Sequence, residues 1–268
     1  MISARTHARN AFIRALLASA CCAASLHAEP PQGYVLQWQD EFNGVELDSA
    51  KWVQWNPGKR RDATNVPEAV TVRDGLLTLS TYTEGGRHFT GMISTKGKYE
   101  ARYGYFEARI QWADAPGQWS AFWCQTPTIG KPIGDVAAAG LEIDFAEHRE
   151  VDHEGKRIAG KANFTLHWDG YGKEHKGKGH ITPELGLDKG FHVYGFEWTE
   201  SAYRFFIDGK LQWETKEPIS KRAQFLILSS EVQSGAWSQA IPAGGYGARL
   251  TTKTKIMVDY VRHYTKSE

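Results

Sequence analysis

The sequence predicts an all-β protein, an antiparallel sandwich of the jelly-roll kind with one concave sheet. Apolar and polar residues alternate in many short runs, the period of a half-buried strand. Turns marked by glycine separate these runs, as at Asp74-Gly75 and Asp208-Gly209. No stretch sustains the 3.6-residue period of a helix, apart from a short one expected near 220–224.

At the N-terminus, Arg5, Arg9 and Arg14 precede or interrupt a run of small and apolar residues, and Leu26-His27-Ala28 forms a cleavage site. Residues 1–28 therefore read as a secretory signal peptide, too short and polar to span a bilayer. An anchor at Cys21 or Cys22 is the weaker alternative, because Leu17 stands one place too early for a good lipobox. Residues 29–268 form one domain without repeat or linker, in a secreted or periplasmic protein. Its only cysteine, Cys124, cannot form an intrachain disulfide, so a core must hold it together. Basic and acidic residues nearly balance, 32 against 31, which argues against nucleic acid or anionic lipid as the partner.

Strands follow in order at 34–38, 70–72, 76–82, 92–94, 99–103 and 105–112, with a turn at Gly104. Glu107 and Arg109 are expected to pair across strands as a structural charge pair. The Gly117–Trp123 run precedes a loop rich in Pro, Gly and Ala over 126–140. Further strands are expected at 162–168, 191–199, 202–207, 211–213, 225–228 and 255–263. Residues 171–180, with Lys173, His175, Lys176, Lys178 and His180, read as a solvated loop or, alternatively, a basic rim for acidic glycans.

The stretch from Gly140 to Arg149 carries Glu142, Asp144 and Glu147. Glu142 and Asp144 share one strand face, but Glu147 has the wrong parity unless a β-bulge takes up one residue near Phe145-Ala146. With that bulge, three acids line one face, a repulsive arrangement in which some hold a proton near neutral pH. A solvated face or a calcium cage is the alternative reading. Calcium, however, draws its oxygens from loops rich in Asp, Asn and Gly. Paired carboxylates suit glycosidic hydrolysis, one ionised to attack and one protonated to release the leaving oxygen.

This stretch resembles the bulged Glu-x-Asp-x-x-Glu signature of glycoside hydrolase family 16, as found in laminarinase-like enzymes. Asp40-Glu41-Phe42 with Leu47-Asp48 and Trp52, and the segment from Ser94 to Arg109, resemble the same family. The resemblance implies a concanavalin A-like sandwich and an endo-acting glycosidase that retains configuration. Glu142 would be the nucleophile, Asp144 the assisting acid and Glu147 the general acid/base. Retention needs the outer carboxyl groups about 5–5.5 Å apart. The implied substrate is a β-linked polysaccharide, first a β-1,3-glucan and next a β-galactan or another β-glucan. A lectin-like binding module is the alternative of another class, since fold does not fix function.

The chain holds ten tryptophans, whose indoles can stack on the apolar faces of sugar rings. Trp38, Trp52 and Trp198 are assigned to the core, and Trp123, Trp119 and Trp237 to the cleft. The resemblance places His167 on the leaving-group side, bonding Glu147 or the sugar. Glu231 departs from the small apolar residue common in laminarinases and would bond a sugar if it faces the cleft. Asn65 would reach a donor-side hydroxyl. No cofactor is needed for catalysis. A structural calcium is implied on the convex side, at the Asp259 carboxylate and main-chain oxygens near Glu41 and Gly75. The enzyme is expected to act as a monomer.

Overall fold

Alternation in the sequence becomes three sheets in a computed structural model that describes residues 30–235 and 237–267. The leader assigned to residues 1–28, with Cys21 and Cys22, lies outside the described residues. No helix among the described residues is long and apolar enough to cross a membrane.

The convex sheet orders Lys210–Thr215, Tyr203–Ile207, His192–Trp198, Gly104–Gln111, Lys255–Lys266, Leu76–Ser80 and Val70–Arg73, with Tyr34–Asp40 also paired to Lys255–Lys266. The concave sheet orders Lys176–Ile181, Asn163–Trp168, Glu142–Arg149, Gln118–Gln125, Phe225–Val232, Met92–Ser94 and Val53–Gln54. A small four-stranded sheet, which includes the hairpin Gly58–Arg60 to Ala63–Asn65, flanks it. Pairing is antiparallel except between Ala63–Asn65 and Arg87–Thr90.

Aromatic side chains fill the space between the large sheets. Phe145 stacks on Phe196 at 4.3 Å and meets Phe122 edge-on at 4.9 Å. Burying a side chain of this size stabilises a fold by about 1.5–3 kcal/mol. Trp52 and Trp198 are buried, and Trp38 packs against the core by stacking on Tyr99. A smaller cluster of Met92, Ala121, Trp123, Phe225 and Ile227, with Trp55 packed on it, lies on the other face of the concave sheet.

Several local expectations are corrected. Residues 220–224 contain no helix; the one α-helical turn among the described residues is Val136–Ala139, where the Asp135 carboxylate accepts from the Ala138 N–H. Residues 99–103 are no strand: Ala101 makes an isolated bridge to Gln224, and Tyr103 has φ +64°. Lys176–Ile181 is an edge strand rather than a loop. Glu107 and Arg109 do not pair with each other, because they sit on one strand. Arg109 donates to Asp259 at 2.8 Å, while Glu107 accepts from Tyr264 at 3.0 Å.

Candidate active site

The acidic strand Glu142–Arg149 crosses the middle of the concave sheet, and its pairing is irregular at one point. Asp144 faces Thr165 and Glu147 faces Asn163, so three residues on one strand oppose two on the other. On the opposite edge Ala146 pairs with Phe122 and Asp144 with Trp123, which leaves Phe145 as the extra residue. Phe145 and Ala146 both face the core, and this double inward step returns Glu147 to the face of Glu142 and Asp144. A buried aromatic thus fixes the bulge that aligns the acids.

The three carboxylates line a cleft of about 760 Å³ together with Trp55, Trp119, Trp123, His167, Glu231 and Trp237. Glu142 accepts hydrogen bonds from the Tyr171 hydroxyl and, at 3.0 Å, from the Gln125 amide. Glu147 accepts from Asn163 at 2.9 Å and Thr165 at 3.2 Å. Asp144 lies 3.5 Å from Nε2 of His167. Burial raises all three acids above the ordinary carboxylate range, and mutual repulsion adds to it for Glu142 and Asp144. Glu142 is pushed up to about 7, against the pull of its two hydrogen-bond donors. Burial and the neighbouring His175 hold His167 down at about 4, so it is neutral at pH 7. Such a trio retains protons near neutrality and can divide proton donation and nucleophilic attack among its members.

The tryptophans expected at the cleft are there. Trp123 is oriented by a hydrogen bond to Ser229 at 3.0 Å, Arg61 lies over Trp119, and Arg149 lies over Trp237 at 3.6 Å. His167 is not beside Glu147. It pairs across strands with Glu142, and its Nδ1 shares a hydrogen bond with His175 at 2.9 Å. Glu231 faces the cleft, but both its oxygens accept from arginines, Arg60 at 2.7 Å and Arg61 at 2.8 Å. Asn65 does not line the cleft. It is buried, and its amide donates to the main-chain oxygens of Trp55 and Asn56.

Sequence reasoning missed Tyr171, Gln125, Arg60, Arg61, Trp55, Asn163 and Thr165. Gln125 was in principle visible, two places beyond Trp123 on the same strand face, as were Thr165 and Asn163, two and four places before His167; the others carry no local pattern.

Among the described residues, Glu142, Asp144 and His167 bring metal-binding atoms within 4.8 Å of one another. The calcium expected on the convex side does not fit the residues found there. Asp259 is paired with Arg109 at 2.8 Å, and Glu41 accepts from Arg262 through both oxygens at 2.8 and 2.9 Å. A divalent cation would meet an Asp259 carboxylate already neutralised by a guanidinium group, and the main-chain oxygens near Glu41 and Gly75 carry no charge to replace it. Gly75, in its turn at φ +76°, faces the Asn43 side chain.

The family model for the GH16 domain of beta-porphyranases A–D matches residues 34–266. The chain belongs to glycoside hydrolase family 16. It is 27% identical over 267 residues to glucan endo-1,3-beta-glucosidase A1 of Niallia circulans, covering 87% of this chain and 38% of that protein. It is 26% identical over 288 residues to a beta-glucanase of Rhodothermus marinus, covering 96% of this chain and 94% of that protein. Porphyranase B of Zobellia galactanivorans shares the fold with a TM-score of 0.71 at 21% identity, over 87% of this chain and 92% of that one. The chain thus spans little more than a third of the first of these relatives and nearly all of the second. The jelly-roll architecture read from the sequence is the architecture of this family 16 chain.

Proposed function

We propose that this protein is an endo-acting hydrolase of a β-linked polysaccharide that works by double displacement with retention. The observation that carries the reading is the bulge that turns Glu142, Asp144 and Glu147 into one cleft. In the first step Glu147 gives its proton to the glycosidic oxygen while Glu142 attacks the anomeric carbon, forming a glycosyl ester and releasing the leaving sugar. In the second step Glu147 takes a proton from water, which attacks the same carbon and frees Glu142. Asp144 exchanges a proton with its neighbours and keeps their charge states apart. None of these steps needs a cofactor.

Trp123, Trp119 and Trp237 supply flat apolar surface for sugar rings. His167, neutral and held by His175, offers a hydrogen bond on the nucleophile's side. Glu231 shapes the cleft wall through its two arginines and does not approach the sugar as a free carboxylate.

A β-1,3-glucan is the first substrate reading, supported by the glucanase relatives. A β-galactan is the second, favoured by the porphyranase family model and by the charged wall of Arg60, Arg61 and Glu231. Reducing-end release from laminarin, lichenan, agarose and porphyran tests both. Glu142→Gln and Glu147→Gln are each expected to release no product from these polymers; binding without product from any polymer by the unaltered protein would instead support a lectin. We also propose export through residues 1–28, one domain over 29–268 and a monomeric state. N-terminal sequencing of the exported protein and size-exclusion chromatography test these.

A further inference from the structure

Tyr171 stands in a loop whose base is fixed and whose tip is open. Asp169, at φ +59°, accepts from the Gly134 N–H and from the Lys176 ammonium, each at 2.8 Å. Gly130 packs its backbone against Gly170 so closely that a Cβ on Gly130 would lie 2.6 Å from the Gly170 nitrogen. Beyond this anchor residues 171–179 are exposed, and Tyr171 itself is 56% exposed. The ring nevertheless turns its hydroxyl inward to Oε2 of Glu142. The Gln125 amide completes a triangle, donating to the same Oε2 at 3.0 Å and to the Tyr171 hydroxyl at 2.5 Å. Oε1 has no such clamp and faces Nε2 of His167 at 4.0 Å.

We propose that Tyr171, together with Gln125, is a positioning residue for the nucleophile. Its hydroxyl holds Oε2 of Glu142 so that Oε1 is presented to the sugar, and it favours the carboxylate form of Glu142 in a crowded acidic site. This rests on Glu142 being the nucleophile of the reaction proposed above.

The surroundings give the hydroxyl this task. Asp144 and Glu147 share the strand of Glu142, and Glu231 projects from Phe225–Val232. His167 and His175 stack on one another, and His167 brings no positive charge near neutral pH, while Arg60 and Arg61 are paired with Glu231. Glu147 and Glu231 both disfavour the anion, while Tyr171 and Gln125 favour it. The exposed ring stacks on His175 at 6.3 Å, a contact that leaves its hydroxyl free to be spent on the partly buried Glu142 carboxylate.

The test compares Tyr171→Phe, which removes only the hydroxyl, with Tyr171→Ala, which also removes the ring. The Glu142 carboxyl is followed by carbon-13 NMR across pH in protein labelled at glutamate, its resonance assigned with Glu142→Gln. Removing a hydrogen bond to a charged group should move the Glu142 titration upward by about one pH unit, a tenfold change in its acidity. Where hydrolysis is found, the acidic limb of kcat/KM should move upward by the same amount. An unchanged titration in Tyr171→Phe overturns the proposal, as does a rate loss that is equal at every pH. A ring that merely covers the cleft would leave Tyr171→Phe like wild type and impair only Tyr171→Ala. Because the titration needs no substrate, an inactive wild-type protein would refute the hydrolase reading without obscuring this result.

Discussion

Replacing Glu142 by glutamine should end turnover and at the same time stabilise the fold at alkaline pH. Burial lifts this carboxyl from 4.5 to about 7. At about 1.4 kcal/mol per pKa unit, the shift corresponds to ~3 kcal/mol. The native state keeps a proton that the unfolded chain loses between these two values. Stability is therefore undiminished below the unfolded value and falls as pH rises toward the folded one. Glutamine cannot ionise, and its amide oxygen can still accept from Tyr171 and Gln125. The two proteins should unfold at similar urea concentrations at about pH 4, with the variant ahead by up to ~3 kcal/mol at about pH 8.5. Protons shared with Asp144 and Glu147 in the wild type trim this figure. Urea unfolding followed by tryptophan fluorescence at each pH measures it. A difference that stays constant with pH, or a wild type that is the more stable at alkaline pH, refutes the reasoning.

Three further outcomes are expected. Glu147→Gln should lose activity on polysaccharide yet retain part of it on aryl glycosides with good leaving groups, which need no proton; initial rates on both substrate types check this. Phe145→Ala should cost ~3–5 kcal/mol, because it empties a ring-sized space, and it should also misalign Glu147; chemical denaturation and residual activity report the two effects. Glu231→Ala should cost only ~1 kcal/mol by denaturation, since Arg60 and Arg61 are 28% and 42% exposed and water screens them. It should nonetheless change the preference among polymers in a substrate panel, because the two arginines lose the carboxylate that fixes them in the cleft wall while the hairpin stays tied at Asp62.

The acidic trio was legible because parity is a local property: two acids in register and a third displaced by one residue demand a bulge. The cleft tryptophans were legible through residue type and spacing along one strand. Contacts that depend on strand register were not. Nothing local says that His167 falls opposite Glu142 rather than Glu147, because the bulge shifts the pairing after Asp144. Arg60 and Arg61 reach Glu231 across about 170 residues of sequence, and Tyr171 reaches Glu142 from a loop that reads as solvated. Asn65 was misplaced because a polar side chain near aromatics suits a sugar ligand and a buried loop tie equally well. The helix expected near 220–224 gave way to a bridge between Gln224 and Ala101, while the turn at Val136–Ala139 was too short for any periodicity to show.

The strand Lys255–Lys266 borders Gly104–Gln111 on one side and, on the other, both Leu76–Ser80 and Tyr34–Asp40. The last strand of the domain is thus inserted at the centre of its sheet. A chain emerging from the ribosome would hold its earlier strands apart, with open edges, until this final piece arrived. Assembly would have to wait for this strand, so folding of the sheet is governed by contacts between residues far apart in the sequence. It also makes the C-terminal strand the part of this barely helical molecule that can least be shortened.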